Sequence, residues 1–170
     1  MSEQAAIDSL EFARHGKRLQ GNVAIARMGR LQEYLHSNSG DLHYTLFGKL
    51  NEKGRPHLVC EVTGKLTLIC QRCLGALDFP LAIESTLELL KAGEEFLPLE
   101  DEDDSVDSIP ADAAMDVLAL VEEEVLLGLP IAPVHAGSEC AGSGGSRRNS
   151  PGKANPFAVL ASLKKAGRTE

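Results

Sequence analysis

Cys70-Gln71-Arg72-Cys73-Leu74 contains two thiols separated by two residues, a spacing that admits three kinds of chemistry. The pair can cycle between dithiol and disulfide, supply half of a metal site, or sit reduced as two small buried side chains. A redox pair is usually activated at the N-terminus of a helix that follows a strand. Here residues 66–69 lead in as a strand and residues 74–78 lead out towards another, so the motif reads as a hairpin tip and redox catalysis is disfavoured. Two thiolates at such a tip, with Gly75 just beyond, can face one metal ion while backbone N–H groups point at the sulfurs.

Zinc then requires two further ligands in a tetrahedral array. His135 and Cys140, separated by four residues, are of suitable type. A Cys70, Cys73, His135, Cys140 site would clip the segment after an acidic helix to the hairpin tip, a structural rather than a catalytic role, since no open-site general base accompanies it. The reading of the cysteines as inert buried residues stays open beside it, and Cys60, in mid-strand, fits that reading best.

No other pattern suggests an active site. There is no P-loop, G-x-G-x-x-G, His-Glu-x-x-His or nucleophile elbow, so neither an enzyme nor a small-molecule substrate is expected. His15, His36, His43 and His57 are scattered over segments of different type, and Glu100 to Asp104 lack the spacing and glycine of a calcium loop.

Charge divides the chain. Residues 1–80 carry a net +2, residues 81–140 a net −15 and residues 141–170 a net +5, for −8 over the 170 residues. Bulk charge therefore repels nucleic acid, and any RNA contact must use local basic segments. Arg14, Lys17, Arg18, Arg27 and Arg30 form one, and Arg147, Arg148 and Lys153 another; neither is interleaved with aromatics along the sequence. Glu122, Glu123 and Glu124 read as a solvated face or as bait for a basic partner. The first ten residues lack a secretory signal pattern and no apolar run is long enough to span a membrane, so a cytoplasmic protein with reduced thiols is expected.

The elements that must position these groups follow from periodicity. Alternation predicts strands over residues 19–25, 41–50, 57–70 and 79–90, with a turn at 51–54, a bend or bulge at Gly64 and an edge position for Pro80. Met28, Leu31 and Leu35 predict a helix over 27–36, and Val117, Leu118, Val121 and Val125 a helix over 112–127, capped by Asp112 and ended by Gly128 and Pro130. The predicted class is α+β: an antiparallel β-meander or partly closed barrel with a few packed helices. One domain is expected over residues 1–135, with a flexible acidic loop at about 92–111. A Gly/Ser-rich linker follows at 136–154, then a C-terminal docking helix and tail at 155–170. Asn155 and Pro156 make a helix start, and Phe157 and Leu160 share a side for docking on the domain or on a partner.

Several segments together resemble the YceD family, the large ribosomal RNA subunit accumulation proteins. They are Val62-Thr63-Gly64, Leu68-Ile69-Cys70-Gln71-Arg72-Cys73-Leu74, the run from Val121 through Glu122-Glu123-Glu124 to Pro130, Pro133-Val134-His135 before Cys140, and Asn155-Pro156-Phe157-Ala158-Val159-Leu160. The resemblance implies a role in synthesis, processing or stability of 23S rRNA. It also implies engagement of the large-subunit precursor through rRNA or a basic ribosomal protein, and no enzymatic activity. It supplies no catalytic residues and leaves the metal question open. A structural-zinc or redox protein, or an acidic interaction module without an RNA role, is the alternative.

Overall fold

A computed structural model describes residues 6–91, 93, 106–137 and 140, which belong to a compact unit ending at Cys140. The chain begins with a two-residue strand β1 (Ala6–Ile7) and a short helix α1 (Ser9–Arg14), followed by β2 (Arg18–Ala24). Two 3₁₀ turns (Ile25–Arg27 and Arg30–Tyr34) lead into β3 (Leu35–Ser37). The three long strands are β4 (Asp41–Leu50), β5 (Pro56–Ile69) and β6 (Ala76–Leu90). After them come β7 (Asp107–Pro110), β8 (Met115–Asp116) and helix α2 (Val117–Leu127).

The protein is α+β, and the sheet is an open path in the order β2-β4-β5-β6-β7, with β3 added to β5 beyond the end of β4. The meander rather than the partly closed barrel therefore describes it. One strand departs from the antiparallel pattern: β7 runs parallel to β6, Leu87 to Leu90 facing Asp107 to Pro110. Residues 107–110, expected inside the acidic loop, are thus sheet, because a crossover segment between β6 and β7 returns the chain in the same direction. The remainder of that loop, 92 and 94–105, lies outside the described residues, as do the expected linker beyond Cys140 and the expected docking helix.

Alternation fixes which face of the sheet is buried. Leu42 and Leu46 of β4, Leu58, Cys60, Val62, Leu66 and Leu68 of β5, and Leu81, Leu87 and Leu89 of β6 all lie in one apolar cluster. Each fully buried leucine contributes about 1.5–3 kcal/mol, and α1 and α2 cover this face. Helix α1 approaches β4 so closely that a Cβ on Gly48 would stand 2.4 Å from the Phe12 carbonyl oxygen. Gly64 has a similar meaning. The register passes through it unshifted, Leu42 on one side and Leu81 on the other, so it marks no bulge. A Cβ there would instead stand 2.5 Å from Leu42 Cδ2. Pro80 sits where β6 has β5 on one side only, since β7 begins opposite Leu87; it occupies an edge, as expected.

Two helix predictions need correction. Residues 27–36 are not an α-helix, although Met28, Leu31 and Leu35 are buried as the spacing requires. Met28 is extended, and the Gln32 side chain donates to the carbonyls of Ile25 and Met28, taking acceptors that an α-helix would use. The 3₁₀ repeat of three residues preserves the Met28–Leu31 spacing. Helix α2 starts at Asp116 rather than Asp112: the Asp116 carboxylate accepts from the N–H groups of Leu118 (2.9 Å) and Ala119 (3.2 Å). Asp112 instead belongs to a turn whose backbone exchanges hydrogen bonds with Ser9 at the start of α1.

Candidate metal centre

The turn joining β5 to β6 is tightened by its own backbone. Cys70 N–H donates to Gly75 O (3.0 Å) and Leu74 N–H donates to Cys70 O (2.8 Å). Leu74 takes φ +60, a left-handed conformation that costs a non-glycine residue about 1–2 kcal/mol. Its side chain is 70% exposed, so packing does not repay that cost. What the turn achieves is orientation: the N–H groups of Cys73 and Arg72 are aimed at the Cys70 sulfur, and that of Gly75 at the Cys73 sulfur.

The second half arrives from beyond α2. Gly128 ends that helix, its N–H returning to Glu124 O, and the chain runs back to the hairpin tip. There Gln71 N–H donates to Pro133 O (2.8 Å), which sets His135 and Cys140 against the two hairpin cysteines. The ligand atoms of Cys70, Cys73, His135 and Cys140 all lie within 4.8 Å of one another. Cys70 Sγ is 3.7 Å from Cys140 Sγ, and His135 Nδ1 is 3.5 Å from the sulfurs of both Cys73 and Cys140. A tetrahedral zinc site with Zn–S of about 2.3 Å and Zn–N of about 2.0–2.1 Å has edges of about 3.8 Å between sulfurs and about 3.6 Å from sulfur to nitrogen. These three separations match those edges, and the remaining ones lie within 4.8 Å, whereas a disulfide would bring two sulfurs to about 2.05 Å.

The surroundings also favour a cation. His135 Nε2 is 2.9 Å from Ala76 O; donation there fixes the tautomer and leaves Nδ1 with a lone pair directed at the cysteines. Burial pushes the Cys70 thiol up, but the three backbone N–H groups of Cys73, Arg72 and His135 outweigh it and hold the thiol at about 5. Burial likewise raises Cys140, and the hydrogen bond from Arg72, together with the neighbouring His135, brings it below the ordinary thiol value. At Cys73 the Gly75 N–H acts downward, yet burial and the neighbouring Cys70 and Cys140 leave the thiol raised. His135 is raised, chiefly by Cys140 and then by Ala76 O. Three thiols and an imidazole held this closely therefore compete for charge, which one divalent ion would neutralise. Cys70 and Cys140 are buried and the other two half-buried, and the four residues would supply all four ligands of a tetrahedral structural site.

Arg72 is the residue that sequence reasoning missed. Its Nε donates to Cys140 Sγ (2.8 Å), and its Nη2 to the carbonyls of His135 (3.3 Å) and Gly137 (2.9 Å). A cation inside the Cys-x-x-Cys motif was the available signal, and it ties the two halves of the cluster together. Cys60, expected to be inert, is fully buried, and burial followed by the charges of Glu124 and Glu61 pushes its thiol to about 12.

The acidic residues of α2 are placed differently from a uniformly solvated face. Glu122 and Glu124 are buried, and Glu123 is exposed. Glu122 Oε1 accepts from the N–H groups of Arg30 (2.7 Å) and Leu31 (3.3 Å) at the start of the second 3₁₀ turn, while its Oε2 takes the Arg30 guanidinium. Glu123 pairs with the same guanidinium at 2.5 Å. Asn155, Pro156, Phe157 and Leu160 lie outside the described residues.

Among the described residues no helix is long and apolar enough to cross a membrane. No solved structure matches the chain. A family model described as large ribosomal RNA subunit accumulation protein YceD matches residues 58–164, a span that holds all but the first two residues of β5, the whole of β6 and α2, and all four residues of the cluster. More than half of the chain is matched, and the protein belongs to the YceD family of large ribosomal RNA subunit accumulation proteins.

Proposed function

We propose that this protein is a non-enzymatic, cytoplasmic accessory factor in large ribosomal subunit biogenesis that supports the synthesis, processing or stability of 23S rRNA. Family membership over residues 58–164 is the observation that carries the reading. In this reading Cys70, Cys73, His135 and Cys140 hold one structural zinc ion. The separations within the cluster and the orienting N–H groups support zinc, and the availability of four protein ligands supports a structural role over a catalytic one. When bound, the ion neutralises the thiolates and cross-links the β5–β6 tip to the chain after α2. The partner contact is made to the large-subunit precursor, through rRNA or a basic ribosomal protein.

Deletion of the gene tests the reading. The expected result is a lower ratio of 23S to 16S rRNA and fewer 50S particles on a sucrose gradient, both restored by the wild-type chain. Normal 23S rRNA and normal 50S subunits in the deletion strain would contradict it.

A further inference from the structure

The sheet ends in two edges that are built differently. Strand β7, at one end of the path, has four residues, with Asp107 at its start and Pro110 at its end. A charge and a proline on so short a strand discourage further pairing. Strand β2, at the other end, has seven residues and pairs only with β4 among the described residues. It contains no proline, its register with β4 runs without a bulge, and its one charge, Arg18, stands at the end of the strand.

The hydrogen-bond phase of β2 decides what this edge presents. Gly48 N–H donates to Lys17 O (2.9 Å) and Ile25 N–H to Gly40 O (3.0 Å), one bond just beyond each end of the β2–β4 ladder. Odd-numbered residues therefore turn their backbone groups towards β4, whereas Arg18, Gln20, Asn22 and Ala24 turn theirs away from the sheet. Among the described residues nothing takes the N–H and C=O groups of Arg18, Gln20 and Asn22.

This edge complements itself. A symmetric antiparallel pairing that uses all seven residues must be centred on Gly21. It sets Arg18 opposite Ala24 of a second copy, Leu19 opposite Val23, Gln20 opposite Asn22 and Gly21 opposite Gly21. No like charges face each other, and apolar side chains meet on the core side of the sheet. A Cβ on Gly21 would stand 3.0 Å from the Tyr44 hydroxyl, so the glycine lets that ring lie across the edge strand at the centre of the pairing.

Charge selects a second copy over any other strand. Arg18 and Asp41 are both exposed, and neither has an ion-pair partner among the described residues. Within one chain Asp41 lies beside Ala24, six residues along β2 from Arg18, or about 20 Å away. Between copies, Arg18 faces Ala24 of the second chain and, one strand further in the same row, its Asp41. Two strand spacings put their Cα atoms about 10 Å apart with only an alanine methyl between, a gap that an extended arginine crosses.

We propose that this chain forms a two-fold dimer through β2, the two sheets joining into one, with Arg18 of each copy paired to Asp41 of the other. The dimer stands independently of the ribosomal reading.

Sedimentation equilibrium of the full chain provides the test. An edge-strand interface is small, so the wild type is expected to pass from monomer mass towards dimer mass between about 10 µM and 1 mM. Gln20→Pro removes an outward N–H and leaves the β2–β4 ladder intact, so it should remain monomeric with an unchanged circular dichroism spectrum. Arg18→Glu and Asp41→Lys should each weaken dimerisation about 2- to 30-fold, because the two-fold axis makes each ion pair twice. Arg18→Glu/Asp41→Lys in one chain should restore it, an outcome that two residues about 20 Å apart in the monomer could not produce by themselves. If Gln20→Pro fails to fold, the charge exchange decides alone. A wild type that stays monomeric at about 1 mM would overturn the proposal and leave the edge to a strand of another protein. A dimer that persists in folded Gln20→Pro, or a double variant no tighter than the single ones, would overturn it as well.

Discussion

The two ends of β5 pose opposite electrostatic problems and are built in opposite ways. At its C-terminal end, the β5–β6 turn gathers three thiols and an imidazole whose negative charge accumulates inward, towards a shared centre. At its N-terminal end, the β4–β5 turn and the α1–β2 connection gather cations that point outward, without carboxylate partners among the described residues. The strand between them spans 14 residues, or about 46 Å at 3.3 Å per residue. One end is thus suited to fixing the chain, whereas the other presents exposed positive charge to solvent. The cluster lies within residues 58–164 of the family match, while Lys17, Arg18, Phe47 and Lys49 precede it.

Breaking the cluster should have the largest effect on stability. Cys73→Ser is expected to abolish zinc binding and to cost about 2–5 kcal/mol in urea unfolding, the scale of losing a native cross-link. The drop should be matched by chelation of the wild type and should vanish when both are compared without metal. Gly48→Ala attacks the opposite end. Its Cβ would meet backbone rather than a flexible side chain, and overpacking of this kind costs about 1–3 kcal/mol. Because α1 would be displaced while the cluster is untouched, the midpoint of urea unfolding should fall with zinc content unchanged.

Glu122→Gln probes the connection between α2 and the second 3₁₀ turn. It keeps an acceptor for the Arg30 and Leu31 N–H groups but loses the charge facing the guanidinium, so a cost of about 1–2 kcal/mol is expected by thermal unfolding, with neither end altered. The smallest effect concerns Glu124. Burial first, and then the charges of Asp107 and Glu123, raise its carboxyl despite the Ser85 hydrogen bond. A folded-state pKa above the unfolded one means that this group favours folding when protonated and loses that contribution as pH rises through the folded value. Glu124→Gln should therefore be more stable than the wild type at neutral and alkaline pH. The gain should disappear on acidification, which a series of melts across pH would reveal.

Local patterns in the sequence were sufficient for the long strands and for the clustering of Cys70, Cys73, His135 and Cys140, because each depends on residue types at short or chemically specific spacings. Residues 41–50 alternate, and β4 runs from Asp41 to Leu50. Cysteine and histidine have few other reasons to cluster, so His135 and Cys140 could be matched to Cys70 and Cys73 across more than 60 residues of chain. What was not legible depends on tertiary pairing. The six residues of α1 are held by the Asp8 cap and by contact with Gly48 rather than by helical periodicity. The second 3₁₀ turn replaces a helix because Glu122, distant in sequence, takes the N–H groups at its start. The pairing of Arg18 with Phe47 is likewise invisible along the chain, since the two become neighbours only through the β2–β4 register.

X-ray absorption at the zinc edge, on protein purified without chelators, tests the central claim most directly. The account predicts one zinc per chain with a four-coordinate shell of three sulfurs at about 2.3 Å and one nitrogen at about 2.0–2.1 Å. Substoichiometric zinc, or a shell made only of oxygen and nitrogen, would contradict it.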